Sequence, residues 1–177
     1  MPEDSDRQEI IKEKIGEIES RAATSLELIR GMVMDYLLNE KGYSREDIEQ
    51  DKGFDILLDD YTTPASVDYI IKLGGRRFMA IKCSPGALES RERHLIAFAR
   101  VADSYQIPFA AVTDGFYTRV LEVISGKPIS EGLASIPDRL KSVEILKEIE
   151  PAPYPVEKIE REKRILLAFD SIKCTEE

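Results

Sequence analysis

Residues 7–40 repeat apolar positions at helical spacing, first Ile10, Ile11, Ile15, Ile18 and Ala22, then Leu26, Ile29, Val33, Tyr36 and Leu37. Ser20 to Ser25 is rich in residues that favour caps, so the spacing predicts two helices with a break there. Gly42 stands where a helix-ending glycine belongs, and Ser44-Arg45-Glu46-Asp47 reads as a capping box opening a short turn. The pattern then changes period. A strand is expected at 54–58 and a turn at 59–64. At 67–73, Val67, Tyr69, Ile71 and Leu73 alternate with Asp68, Ile70 and Lys72. Gly74-Gly75 signals a tight hairpin into a strand at 78–81. Ser84-Pro85-Gly86 stops that strand, and a helix is expected over 88–105.

Residues 108–113 form a short run that is apolar on both sides, the mark of an interior strand. Asp114-Gly115 turns the chain into a strand at 119–124, and Ser125-Gly126-Lys127-Pro128 reads as another turn. A helix is expected from Ile136-Pro137-Asp138 to about residue 149. Pro151, Pro153 and Pro155 make an extended linker. Residues 157–172 form an amphipathic helix with Ile159, Ile165, Leu166, Phe169 and Ile172 on its apolar stripe. The order predicts an α/β chain, a mixed sheet flanked by helices rather than repeated βαβ units. We divide it into an N-terminal helical extension (1–22), a central domain (23–140) and a C-terminal helical appendage (141–177).

Composition narrows the class. Hydrophobic residues make up 42% of the 177 and charged residues 33%, enough for one core under a well-solvated surface. No apolar run approaches the roughly 20 residues of a membrane span, and the acidic start, Met1 to Asp6, is unlike a signal peptide. A cytoplasmic location without membrane association is the expectation. Cys83 and Cys174 form no CxxC pair and read as two reduced thiols. The net charge of −9 argues against broad, nonspecific nucleic-acid binding. Residues 72–93 depart from it: Lys72, Arg76, Arg77, Lys82, Arg91 and Arg93 face only Glu89 and Glu92. Such a stretch serves either phosphate contacts or a charge-protected sheet edge.

Glu27-Leu28-Ile29-Arg30, Asp68 in Val67-Asp68-Tyr69-Ile70, Ala80-Ile81-Lys82 and the run Ile107 to Gly115 ending Thr113-Asp114-Gly115 follow one another in a telling order. Over about residues 20–140 the chain resembles the N-terminal domain of type I restriction enzyme R subunits, a PD-(D/E)xK nuclease-like family. The resemblance implies a restriction-endonuclease-like core with extra terminal helices. It also implies a catalytic set of Glu27, Asp68 and Lys82, with Mg²⁺ on Asp68 and Glu27. The second hairpin acid should stand at position 80, which is Ala80 and cannot ligate a metal. The Gln and Tyr that the family often carries on the next helix are replaced by His94 and Phe98.

Three readings stay open. In one, the chain is a Mg²⁺-dependent DNA endonuclease whose missing acid has migrated to Glu89 or Glu92. In another, it is a catalytically degenerate homologue that binds nucleic acid or protein through Lys82, Arg30, Arg76, Arg77, Arg91 and Arg93. In the third, it is a scaffold, paired with a protein partner or with its own copy through the terminal helices. The 177 residues hold no GxxxxGK[ST] P-loop, so no motor activity is expected of them.

Overall fold

Two tight turns set the register of the first three strands. The computed structural model describes residues 3–170. Helix α1 (Glu3–Asn39) leads through a single 3-10 turn (Arg45–Asp47) into β1 (Ile48–Leu58), β2 (Tyr61–Leu73) and β3 (Arg76–Cys83). Gly74 and Gly75 both have positive φ (54° and 82°), the two-residue turn that matches strand twist. Helix α2 (Glu89–Val101) carries the chain across to β4 (Phe109–Thr113), which runs parallel to β3. Then come β5 (Thr118–Glu122), β6 (Lys127–Glu131), α3 (Arg139–Glu148) and α4 (Val156–Asp170). The six strands form one mixed sheet in sequence order, every other neighbouring pair antiparallel.

Helices cover both faces. On one, Ile29, Val33 and Leu37 of α1 and Leu146 of α3 close over Tyr69, Ile71, Phe78, Met79 and Ile81. On the other, residues 95–99 of α2 and Leu166 of α4 close over Ile70, Ala80, Ala110, Val112 and Leu121. This is the α/β architecture expected, with helices on each side of a mixed sheet. Ile165 and Phe169 are half-buried beside the enclosed Leu166, so the apolar stripe of α4 lies on the domain. None of the described helices is long and apolar enough to cross a membrane.

Several expectations are corrected. The helix does not break at Ser20 to Ser25, because Thr24 donates its hydroxyl to the Ser20 carbonyl 2.9 Å away, a bond made inside the helix. Residues 127–131, read as part of a turn, form β6; Pro128 is tolerated because β6 is an edge strand. The turn expected at 59–64 shrinks to Asp59 and Asp60, and Pro64 sits inside β2 opposite Asp55. Only residues 69–73 of β2 pair with β3, so Pro64 lies on a stretch with one free side. Helix α2 ends at Val101, four residues short of the expected limit. Ile172 and Cys174 lie outside the described residues.

Two local features shape β1. Asp51 has φ +48°, and the ladder skips it: Gln50 pairs with Tyr69 and Lys52 with Val67. Gly53 lies so close to β2 that a Cβ there would stand 2.3 Å from the Ala65 carbonyl oxygen, which only glycine avoids.

Candidate active site

Asp68 comes from the buried middle of β2 and Lys82 from the last turn of the ladder in β3. Because Tyr69 pairs with Ile81, the two residues are brought side by side, and Lys82 Nζ lies 3.7 Å from Asp68 Oδ2. The same Oδ2 accepts the Cys83 backbone N–H at 2.7 Å. Oδ1 faces Arg30 of α1, whose Nε is 3.4 Å away. Each carboxylate oxygen therefore already meets a cation, and the Asp68 side chain is only 7% exposed.

Arg30 is the hub. Besides Asp68 it binds Asp51, across the interrupted ladder, and Glu27 one turn back on α1 at 3.2 Å. Its position is fixed by Tyr69, whose hydroxyl donates to the Arg30 carbonyl at 2.8 Å and whose ring lies under the guanidinium. Burial works against the Arg30 charge, but Asp51, Asp68 and Glu27 outweigh it and hold its pKa above the usual arginine value. Burial, reinforced by the Asp68 charge, pushes the Cys83 thiol up to about 12. That thiol is closed to thiolate chemistry at neutral pH.

The other expected residues divide. Glu27 reaches the group only through Arg30 and is 73% exposed. Ala80 is fully enclosed, in the apolar cluster with Ile70, Leu95 and Ala110. Glu92 turns to Arg119 of β5 at 2.7 Å. Lys82, Val112 and Arg119 lie in one row across β3, β4 and β5, which sets Arg119 about 10 Å of sheet away from Lys82. Glu89 and Glu92 line a separate cavity of about 690 Å³ with Phe116, Tyr117 and Arg119. His94 is buried, its ring edge-on to Phe169 at 5.6 Å.

Most of the basic stretch is committed to holding the fold. Arg76 donates to the Leu146 and Ile149 carbonyls at the end of α3. Arg77 pairs with Glu49 at 2.8 Å and lies 3.8 Å from Asp103. Arg93 binds Glu162 of α4. Arg91, on the first turn of α2, is half-exposed. Sequence reasoning missed Asp51; its only trace is an aspartate in a strand, a residue type that tolerates positive φ.

The family pattern described as the type I restriction enzyme R protein N terminus matches residues 26–137, well over half of the chain. The chain belongs to this family. No curated protein and no solved structure matches it. The matched stretch starts just before Glu27 and ends at Pro137, so it takes in the packed half of α1 and the whole sheet. The N-terminal stretch of α1 before residue 26, all of α3 and all of α4 fall outside it.

A divalent ion on this hairpin would need at least two hard oxygen donors with free lone pairs. Asp68 Oδ2 already accepts the Cys83 N–H, each of its oxygens faces a cation, and Ala80 offers no donor. Among the described residues no three of His, Cys, Asp or Glu converge on a point that a metal could occupy. The residues present do not fit the metal that the resemblance implies.

Proposed function

We propose that this chain is a catalytically degenerate restriction-endonuclease-like domain that binds nucleic acid without hydrolysing it. The observation that carries the reading is the state of Asp68, a carboxylate at the hairpin position of a nuclease-like fold with a cation against each oxygen. Hydrolysis by a metal-activated water needs an open ligand position and net negative charge around the ion. Arg30 and Lys82 instead offset two of the three carboxylates around them, Asp68, Asp51 and Glu27, and position 80 adds none. Nucleic acid as the ligand rests on family membership and on partly exposed cations, Lys72 and Arg91. Phosphate contacts of that kind need no chemistry.

The test joins two measurements. A plasmid-nicking assay with Mg²⁺ or Mn²⁺ is expected to show no cleavage, with no Mn²⁺ binding by calorimetry. Nicking that Lys82→Ala abolishes overturns the degenerate reading and returns the migrated acids Glu89 and Glu92 to the site. Fluorescence anisotropy with single- and double-stranded oligonucleotides at low salt is expected to show weak binding with a shallow salt slope, near −0.9 per phosphate contacted. A flat anisotropy trace at about 50 mM salt removes nucleic acid as the ligand, on the same counterion argument.

A further inference from the structure

One face of α1 has two fates. In the C-terminal half, Ile29, Val33 and Leu37 are buried against the sheet. The same face continues toward the N-terminus as Ile11, Ile15, Ile18 and Ala22, spaced four, three and four residues apart, the alternation of a coiled-coil seam. There it has no cover among the described residues: Ile15 is 46% and Ile18 65% exposed. Gln8, Ile11, Lys12 and Ile15, at i, i+3, i+4 and i+7, rim a depression that runs on over Gly16 and Glu19 for about 470 Å³. Four residues at that spacing form the hole into which a facing helix inserts a side chain. A helix of about this length is marginal in water without a partner, and a central glycine weakens it further.

We propose that residues 8–25 of α1 form an antiparallel two-helix coiled coil with the same residues of a second copy of this chain. An antiparallel pair places the two folded bodies, built on residues 26–39 and beyond, at opposite ends, whereas a parallel pair would crowd them together. Setting Ile15 opposite Ile18 of the second copy brings Ile11 opposite Ala22 and Gln8 opposite Ser25, all repeated by the two-fold axis. The layers are then apolar in the middle and polar at both ends. On one flank Lys12 meets Glu19 of the second copy, twice by symmetry. That match singles out the chain itself as partner, since the complement of Lys12 lies on its own helix. The other flank sets Lys14 beside Arg21, so one correctable repulsion is built in.

The test is light scattering behind gel filtration, plus sedimentation equilibrium, on the full chain. The expected mass is twice the 20.0 kDa of one chain. Ile15→Asp with Ile18→Asp, both exposed in the single chain, is expected to give the monomer with the thermal transition of the sheet domain retained. Lys12→Glu is expected to weaken the dimer roughly three- to five-fold. Adding Glu19→Lys to it restores the wild-type constant, and Arg21→Glu alone tightens the dimer by a similar factor. Nitroxides at position 7 should stand about 28 Å apart along the axis, from 1.5 Å per residue. A monomer at all concentrations, a dimer that survives the double aspartate variant, or nitroxides close together each overturns the proposal.

Discussion

Asp68 and Glu162 lie on different layers of the molecule, and each is a buried carboxylate ringed by cations, two at Asp68 and three at Glu162. Glu162 on α4 takes two bonds from Arg93 (2.7 and 3.0 Å), one from Arg100 (3.2 Å) and one from the Tyr154 hydroxyl (2.7 Å), and is fully enclosed. Asp68 takes looser contacts, 3.4 Å from Arg30 and 3.7 Å from Lys82, and its one short bond is to a backbone N–H. The tight cluster locks one helix to another and has no position in any motif. The loose one sits on the β2–β3 hairpin, inside the stretch that the family pattern matches. A ring of cations around a carboxylate is therefore no sign of chemistry by itself. What separates the two is position on the fold and how much of the group's bonding capacity is already used.

The sharpest way to break the comparison is Glu162→Ala. It strands Arg93 and Arg100 between α2 and α4 and is expected to cost about 3–5 kcal/mol, read by urea denaturation. The same carboxyl gives the contrast a pH arm. Burial would raise its pKa, but the bonds from Arg93 and Tyr154 outweigh burial and hold it below the ordinary carboxylate value. Its stabilising contribution is then full above the unfolded pKa and lost as pH falls through the lower folded value. Acid titration of wild type against Glu162→Gln should show the difference below about pH 4.

Ala80→Glu comes next. It places a carboxylate in the apolar cluster with Ile70 and Leu95, and a loss of about 3 kcal/mol or more is expected. If added Mn²⁺ recovers that loss in the same denaturation experiment, Asp68 still has coordinating capacity and the contrast with Glu162 fails. Asp68→Ala should cost less, about 2 kcal/mol, since it frees one N–H and loosens two partly exposed cations. A loss equal to that of Glu162→Ala would make the two clusters structurally equivalent. Lys82→Ala is the mildest, under about 1 kcal/mol by thermal unfolding, because the ammonium retains access to water.

The sheet was legible where period and turn chemistry agreed. The Gly74-Gly75 hairpin and the alternation before it placed Asp68 beside Lys82 correctly in register. It was not legible where a local rule has two outcomes. Thr24 can cap a helix or bond backwards within one, and a Ser-Gly-Lys-Pro run can be a turn or the start of an edge strand. The site was half legible. Its two hairpin residues follow from the motif, whereas Asp51 joins it because the β1–β2 register sets it across from Asp68, ahead of the strand expected at 54–58. The partners of the basic stretch were not legible for a simple reason: Arg76, Arg77 and Arg93 find acceptors on α3, β1 and α4, elements distant in sequence.

The positive φ at Asp51 also bears on colloidal behaviour. A sheet in sequence order ends in two edge strands, β1 and β6, besides the free side of β2 before residue 69, and an open edge invites a strand from another molecule. At one edge the left-handed Asp51 interrupts the regular backbone, and Glu49, Lys52 and Asp55 charge the strand that an incoming chain would have to follow. At the other, β6 is five residues long and carries Pro128, which offers no N–H to a newcomer. Both edge strands are poor templates for cross-β growth.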